Sequence, residues 1–165
     1  MYNNVKHNLN SKQMEQSINL IKEYVTPVAR ATYDTKRKLW YIGYNQTYGV
    51  YNGLSWDKEQ IDADLWKQVR DIRRVLDHNF GGFLKTHQIV ALTSLIHDIG
   101  VEEFLHSDIP KFIKAKQYIL VSNAFMNFNK DGRVVSVKKA ARRRKEQLLF
   151  SIGTRDDCNR STANA

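Results

Sequence analysis

The chain has 165 residues, of which 42% are hydrophobic and 26% charged. That length and mixture fit one globular domain with its own core, and a fold of this size buries enough surface to need neither disulfide nor metal. The single cysteine, Cys158, excludes a disulfide framework and a cysteine-based zinc site. The net charge of +9 is gathered in one stretch: residues 111–146 hold eleven Lys or Arg against Asp131 and Glu146, while the rest of the chain is balanced. Such a one-sided field favours an anionic partner, whether nucleic acid, phospholipid or a charged wall polymer. The first residues carry no apolar run and the longest strictly apolar stretch is Ile89-Val90-Ala91-Leu92, so neither a signal peptide nor a membrane span is expected.

In chain order, Met14, Ile18, Ile21 and Val25 recur at helical spacing and predict a helix from about Asn10 to Val25, closed by Thr26-Pro27. Residues 32–52 are rich in Tyr and Trp, broken by Asp34-Thr35, Gly43, Gly49 and Asn52-Gly53. This reads as a small antiparallel sheet and is the one expected β region. Ser55 is the expected N-cap of a helix over 57–78, whose Ile61, Leu65, Val69, Ile72 and Leu76 form one stripe. At 1.5 Å per residue it spans about 33 Å. Thr86 to Ile99 is apolar on most sides and belongs at the centre of a helical lobe, with Gly100 ending it. Short helices over 102–106 and 110–121 and a last helix from Val137 to Phe150 complete the bundle. The expected organisation is a single α+β domain over 1–153 followed by a polar, flexible tail over 154–165.

Three stretches carry a family resemblance. Ile21-Lys22-Glu23-Tyr24-Val25-Thr26, followed by Tyr33-Asp34-Thr35 and Ile42-Gly43-Tyr44, is similar to a helix ending Glu-Gly, an Asp nine residues after that Glu, and a Thr-Ile-Gly-Tyr-Gly-His strand. Gln88 with Ala91-Leu92-Thr93-Ser94-Leu95 and Asp98-Ile99-Gly100 resembles a central helix ending Asn-Val-Gly. Phe128, Gly132-Arg133, Arg142-Arg143, Glu146 and Leu149-Phe150 resemble an Arg-Arg-x-x-Glu-x-x-Leu-Phe closing signature. Together these resemble the phage-type lysozymes, endolysin muramidases that cleave peptidoglycan glycan strands. The implied fold is lysozyme-like: a small N-terminal antiparallel sheet lobe, a long connecting helix and a C-terminal helical lobe.

The resemblance also places the chemistry. Asp34 matches the family's Asp, but the catalytic Glu position falls on Val25, the Thr position on Tyr41 with one residue inserted in Lys36-Arg37-Lys38, and the Gly-His on Asn45-Gln46. Glycoside hydrolysis ordinarily uses a protonated carboxyl and a second carboxylate, and a hydrocarbon donates no proton. Glu23 sits two helical positions from Val25, about 200° around the axis, and points elsewhere. Val25 is therefore expected as core packing. Asp98 stands where the family has an amide at the cleft floor; it either pairs with Asp34 or, as the favoured expectation, bonds the turn at Ile99-Gly100. Tyr33, Tyr41 and Tyr44 are candidates for stacking on sugar rings or for burial. Lys138, Lys139, Arg142, Arg143, Arg144 and Lys145 are candidates for binding an anion, with a solvated basic face in which one or two arginines pair to Glu146 or to helix ends as the favoured alternative. His78, His87, His97 and His106 lie nine or ten residues apart, which is not a helical zinc spacing, and no metal or cofactor is expected.

Three functions are compatible with this pattern. The leading expectation is a catalytically silent lysozyme-like protein of phage or prophage origin, a virion or tail component or a peptidoglycan-binding module. The alternatives are a diverged, active muramidase and a basic protein binding nucleic acid or the cell envelope. The expected partners are peptidoglycan or other virion proteins, with an anionic polymer along the basic stretch. The expected location is the host cytoplasm on synthesis and the virion afterwards.

Overall fold

The computed structural model describes residues 2–153, with side chains from residue 11 onward. The expected tail and Cys158 lie outside the described residues. Helix α1 spans Tyr2–Tyr24 and is followed by a two-stranded antiparallel sheet, β1 (Val28–Asp34) and β2 (Leu39–Gly43). Next come α2 (Lys58–Phe80), α3 (Thr86–Ile99), α4 (Val101–His106), α5 (Ile109–Lys114) and α6 (Tyr118–Ala124). A 3₁₀ turn over Phe125–Phe128, a short hairpin of β3 (Lys130–Asp131) and β4 (Val134–Val135), and α7 (Val137–Phe150) close the chain. The sheet lobe, long helix and helical lobe stand in the order the sequence predicts.

Helix α2 joins the lobes by dividing one apolar stripe between two cores. Its first half puts Ile61, Leu65 and Val69 against Ile18 and Ile21 of α1 and Tyr44. Its second half puts Ile72, Leu76 and Phe80 into the larger core with α3, α4, α5, α6 and Phe150. Complete burial of such a side chain is worth roughly 1.5–3 kcal/mol, so the stripe fixes both lobes to one rod. Its N-cap is Asp57 rather than the expected Ser55. The Asp57 side chain accepts the Gln60 N–H at 2.8 Å and the Gln60 side chain accepts the Asp57 N–H at 2.9 Å, a reciprocal box. Ser55 instead bridges to Arg30 and lengthens the sheet. Helix α3 is buried from Gln88 through Ile96, as expected of a central helix, and α1, α2 and α7 pack around it.

Two further features differ from the sequence expectation. The helix expected over 110–121 breaks at Lys116, which takes the left-handed conformation (φ 56°). The Lys116 N–H donates to the Ile113 carbonyl and the Gln117 N–H to the Phe112 carbonyl, the paired bonds that end a helix in a Schellman motif. Lysine occupies the position usually given to glycine, which hid the stop. A second β region also exists: Gly132-Arg133 forms a two-residue loop between β3 and β4, with Gly132 at φ 63°, a conformation glycine adopts without Cβ strain.

Candidate active site

Strand pairing places Asp34. Tyr41 lies opposite Thr32 and Leu39 opposite Asp34, so Thr32, Asp34, Leu39 and Tyr41 share one face, while Tyr33 and Trp40 meet on the other with ring centroids 5.3 Å apart. The Asp34 face looks into a cleft of about 340 Å³ between the lobes. Its walls include Val25 and Thr26 after α1, Arg37, Tyr41 and Asn45 of the sheet lobe, Asp98 of α3, and Asp131 and Lys138 beside α7.

The sheet wall is built by two tight turns. At the first, Asp34 Oδ1 accepts the N–H groups of Lys36 (2.9 Å) and Arg37 (3.0 Å), and Arg37 Nε donates to Oδ2 at 2.6 Å. The Arg37 backbone bond and then its side-chain bond hold the Asp34 carboxyl down at about 2, well below the usual carboxylate range. At the second turn, Gly43 (φ 57°) and Asn45 (φ 66°) reverse the chain, and Ile42 and Gln46 exchange backbone bonds. A Cβ at Gly43 would stand 3.1 Å from the Trp56 ring. The Gln46 side chain then donates to Asp64 of α2 at 3.1 Å, which ties this turn to the long helix and leaves Asn45 on the cleft.

The floor is an ionic network between α3 and α7. Asp98 receives Arg143 Nη2 at 2.8 Å and Arg142 Nη1 at 3.3 Å, while Glu146 meets Arg142 Nε at 3.1 Å and Arg143 Nε at 3.2 Å. Ser94 donates its hydroxyl to Glu146 at 2.5 Å, and its carbonyl accepts Arg142 Nη2 at 2.7 Å. Both arginines and Glu146 are buried; burial pushes the Glu146 carboxyl up, against the pull of the two guanidiniums. His97 lies alongside, and its imidazole is held down at about 4, first by burial and then by Arg142.

These positions correct several expectations. Asp98 does not bond the turn at Ile99-Gly100, where the Gly100 N–H goes to the Ile96 carbonyl; it answers two arginines and reaches the cleft. Arg142 and Arg143 both make the expected pairing to Glu146, and both also meet Asp98, but they do so buried inside the protein rather than on a solvated basic face. Lys145 is paired with Glu23, on a separate cavity that includes Leu20 and Val90, so Glu23 does face away from Val25. Lys139 pairs with Asp131 at 2.7 Å, and Lys138 and Arg144 remain exposed. Tyr44 is buried in the small core rather than open to a sugar; Tyr41 lines the cleft, and Tyr33 is exposed on the opposite face of the hairpin. Val25 packs against the small core and also forms part of the cleft wall. Among the described residues no group of three His, Cys, Asp or Glu is placed to hold a metal, and no helix is long and apolar enough to cross a membrane. The cleft residues that sequence reasoning did not single out include Tyr24, Arg37, Asp131 and Ser136. The insertion at 36–38 was the signal for Arg37 and the Gly132 turn that for Asp131.

The phage lysozyme family pattern matches residues 23–147, which spans the sheet wall, the connecting helix and the floor network. The chain belongs to the phage lysozyme family. A curated endolysin from Acyrthosiphon pisum secondary endosymbiont phage 1 is 27% identical over 140 residues, covering 82% of this chain and 95% of the relative. Among solved structures, the muramidase domain of SpmX from Asticaccaulis excentricus is 25% identical with a TM-score of 0.71, covering 81% of this chain and 93% of that one. The active form of the P1 phage endolysin Lyz has the same TM-score at 20% identity and covers 84% of each chain, a likeness of fold. This family member has the lysozyme-like architecture the resemblance implied. The matches overturn the expectation of a catalytically silent virion or tail component: the family and the curated relative are lysozymes and endolysins, and none of the comparisons ties this chain to a virion structure.

Proposed function

We propose that this protein is an active muramidase that hydrolyses the glycan strands of peptidoglycan in the interlobe cleft. The observation that carries the reading is Asp34, an ionised carboxylate fixed on the cleft wall of a phage lysozyme family member, with a second carboxylate, Asp98, on the floor. Breaking a glycosidic bond develops positive charge at the anomeric carbon, and a carboxylate beside it stabilises that charge and directs water to it. Asp34 performs this role. Asp98, held by Arg142 and Arg143, sets the negative end of the floor, and Tyr41 offers a ring to a bound sugar.

In this reading Val25 occupies the family's acid position. The other carboxylates lining the cleft among the described residues, Asp98 and Asp131, each sit against a cation. The leaving oxygen then takes its proton from solvent. General acid catalysis contributes typically 10²–10⁴-fold, so turnover is slower by about that factor than with a resident acid and rises as the pH falls from 7 to 4. Release of reducing glycan ends from purified sacculi tests the reading. Wild type is expected to release them and Asp34→Asn to lose at least about 100-fold; equal release by both, or none by wild type at any pH in that range, contradicts it.

A further inference from the structure

The turn that holds Asp34 is one residue longer than the resembled family pattern, and the added length places an arginine against the carboxylate. Lys38 closes it, donating its N–H to the Asp34 carbonyl at 2.8 Å from a left-handed backbone (φ 57°). That geometry brings the Lys36 and Arg37 N–H groups onto Oδ1 and swings the Arg37 side chain back onto Oδ2. The guanidinium also lies over the Tyr41 ring, 5.5 Å from its centroid, in a cation–π contact. Tyr41 stands where the resemblance puts a threonine. The lengthened turn and the enlarged side chain therefore meet through Arg37, which also touches the carboxylate.

We propose that Arg37, seated on Tyr41, is the positioning residue for Asp34, with the lengthened 36–38 turn and the tyrosine at 41 working as one unit to aim the carboxylate into the cleft. Its consequence for turnover rests on the muramidase reading, whereas its hold on the carboxylate does not. Without the guanidinium one Asp34 oxygen keeps two backbone donors and the other is released. The carboxylate then rotates away from its aim, and misplacement by about 1 Å is enough to cost on the order of 100-fold in rate. The Arg37 side chain is 47% exposed, so its loss leaves the fold intact.

Arg37→Ala, Arg37→Lys, Tyr41→Phe and Tyr41→Ala separate positioning from mere turn structure through two readouts. The first is the ¹³C shift of the Asp34 carboxyl followed near pH 3, between its value of about 2 and the usual carboxylate range. The ionised fraction is expected to fall in Arg37→Ala, to fall less in Arg37→Lys and Tyr41→Ala, and to stay unchanged in Tyr41→Phe, which keeps the ring. The second is turnover on sacculi, where Arg37→Ala lowers kcat at least tenfold with KM within twofold and Arg37→Lys recovers part of the loss. Wild type without activity but with the expected carboxyl shifts would defeat the muramidase reading and support the Arg37 assignment. An active wild type matched by Arg37→Ala in both readouts would overturn the Arg37 assignment and leave the muramidase reading standing.

Discussion

The cleft holds two aspartates against arginines, and the two settings differ in what surrounds them. On the floor, Asp98 belongs to a network in which Arg142, Arg143 and Glu146 are all buried. On the wall, Asp34 meets one exposed arginine on a surface turn. Buried ions depend on one another because each must replace the water its partner lost, so removing one strands the rest. An exposed pair contributes little to stability and is free to serve orientation. The same residue types thus act as foundation on α3 and α7 and as aiming device on the hairpin between β1 and β2.

The contrast breaks most visibly at Glu146. Glu146→Ala leaves two buried guanidiniums sharing one carboxylate and is expected to cost about 3–5 kcal/mol in urea unfolding; a loss below 1 kcal/mol would mean the network is not a foundation. His97 sharpens the same region through pH. Its folded pKa of about 4 lies below the unfolded value of 6.5, so between those values the unfolded chain binds more protons. Its contribution is fully present above pH 6.5 and is lost as pH falls toward 4, amounting to about 3 kcal/mol. His97→Gln should flatten that part of the stability profile; an unchanged slope would show that the imidazole charges freely when folded.

Smaller effects probe the wall. Val25 borders the cleft and, in the proposed reading, stands at the acid position, so with Val25→Glu turnover at pH 6–7 is expected to rise at least tenfold. No gain would show that Tyr41 blocks the water or sugar such an acid must meet. Smallest of all, Arg37→Ala should change stability by no more than about 0.5 kcal/mol, and a larger loss would move Arg37 from aiming to foundation.

Legibility in the sequence followed the same division. The helices over 86–99 and 137–150 were readable to the residue, because a run apolar on most sides ended by Gly100 and a closing Arg-Arg-x-x-Glu-x-x-Leu-Phe pattern are strong local signals. Asp34 was readable from its neighbours in the chain. The pairing of Arg142 and Arg143 to Glu146 on the same helix was legible too, but their joint hold on Asp98 was not, because Asp98 lies 45 residues from Arg143 in the chain. For Tyr44 the sequence left stacking on a sugar and burial both open, because the turn at Gly43 and Asn45 breaks the strand alternation that would have chosen between them; the ring joins the small core. The stop at Lys116 was hidden because lysine replaced the expected glycine.

The most direct test of the central claim is mass spectrometry of what the protein releases from purified peptidoglycan between pH 4 and 7, with Asp34→Asn as the control. Soluble fragments carrying N-acetylmuramic acid at the new reducing end are expected, formed faster at the acidic side and absent with Asp34→Asn. Intact glycan strands throughout, or the same fragments from the Asp34→Asn protein, would contradict it.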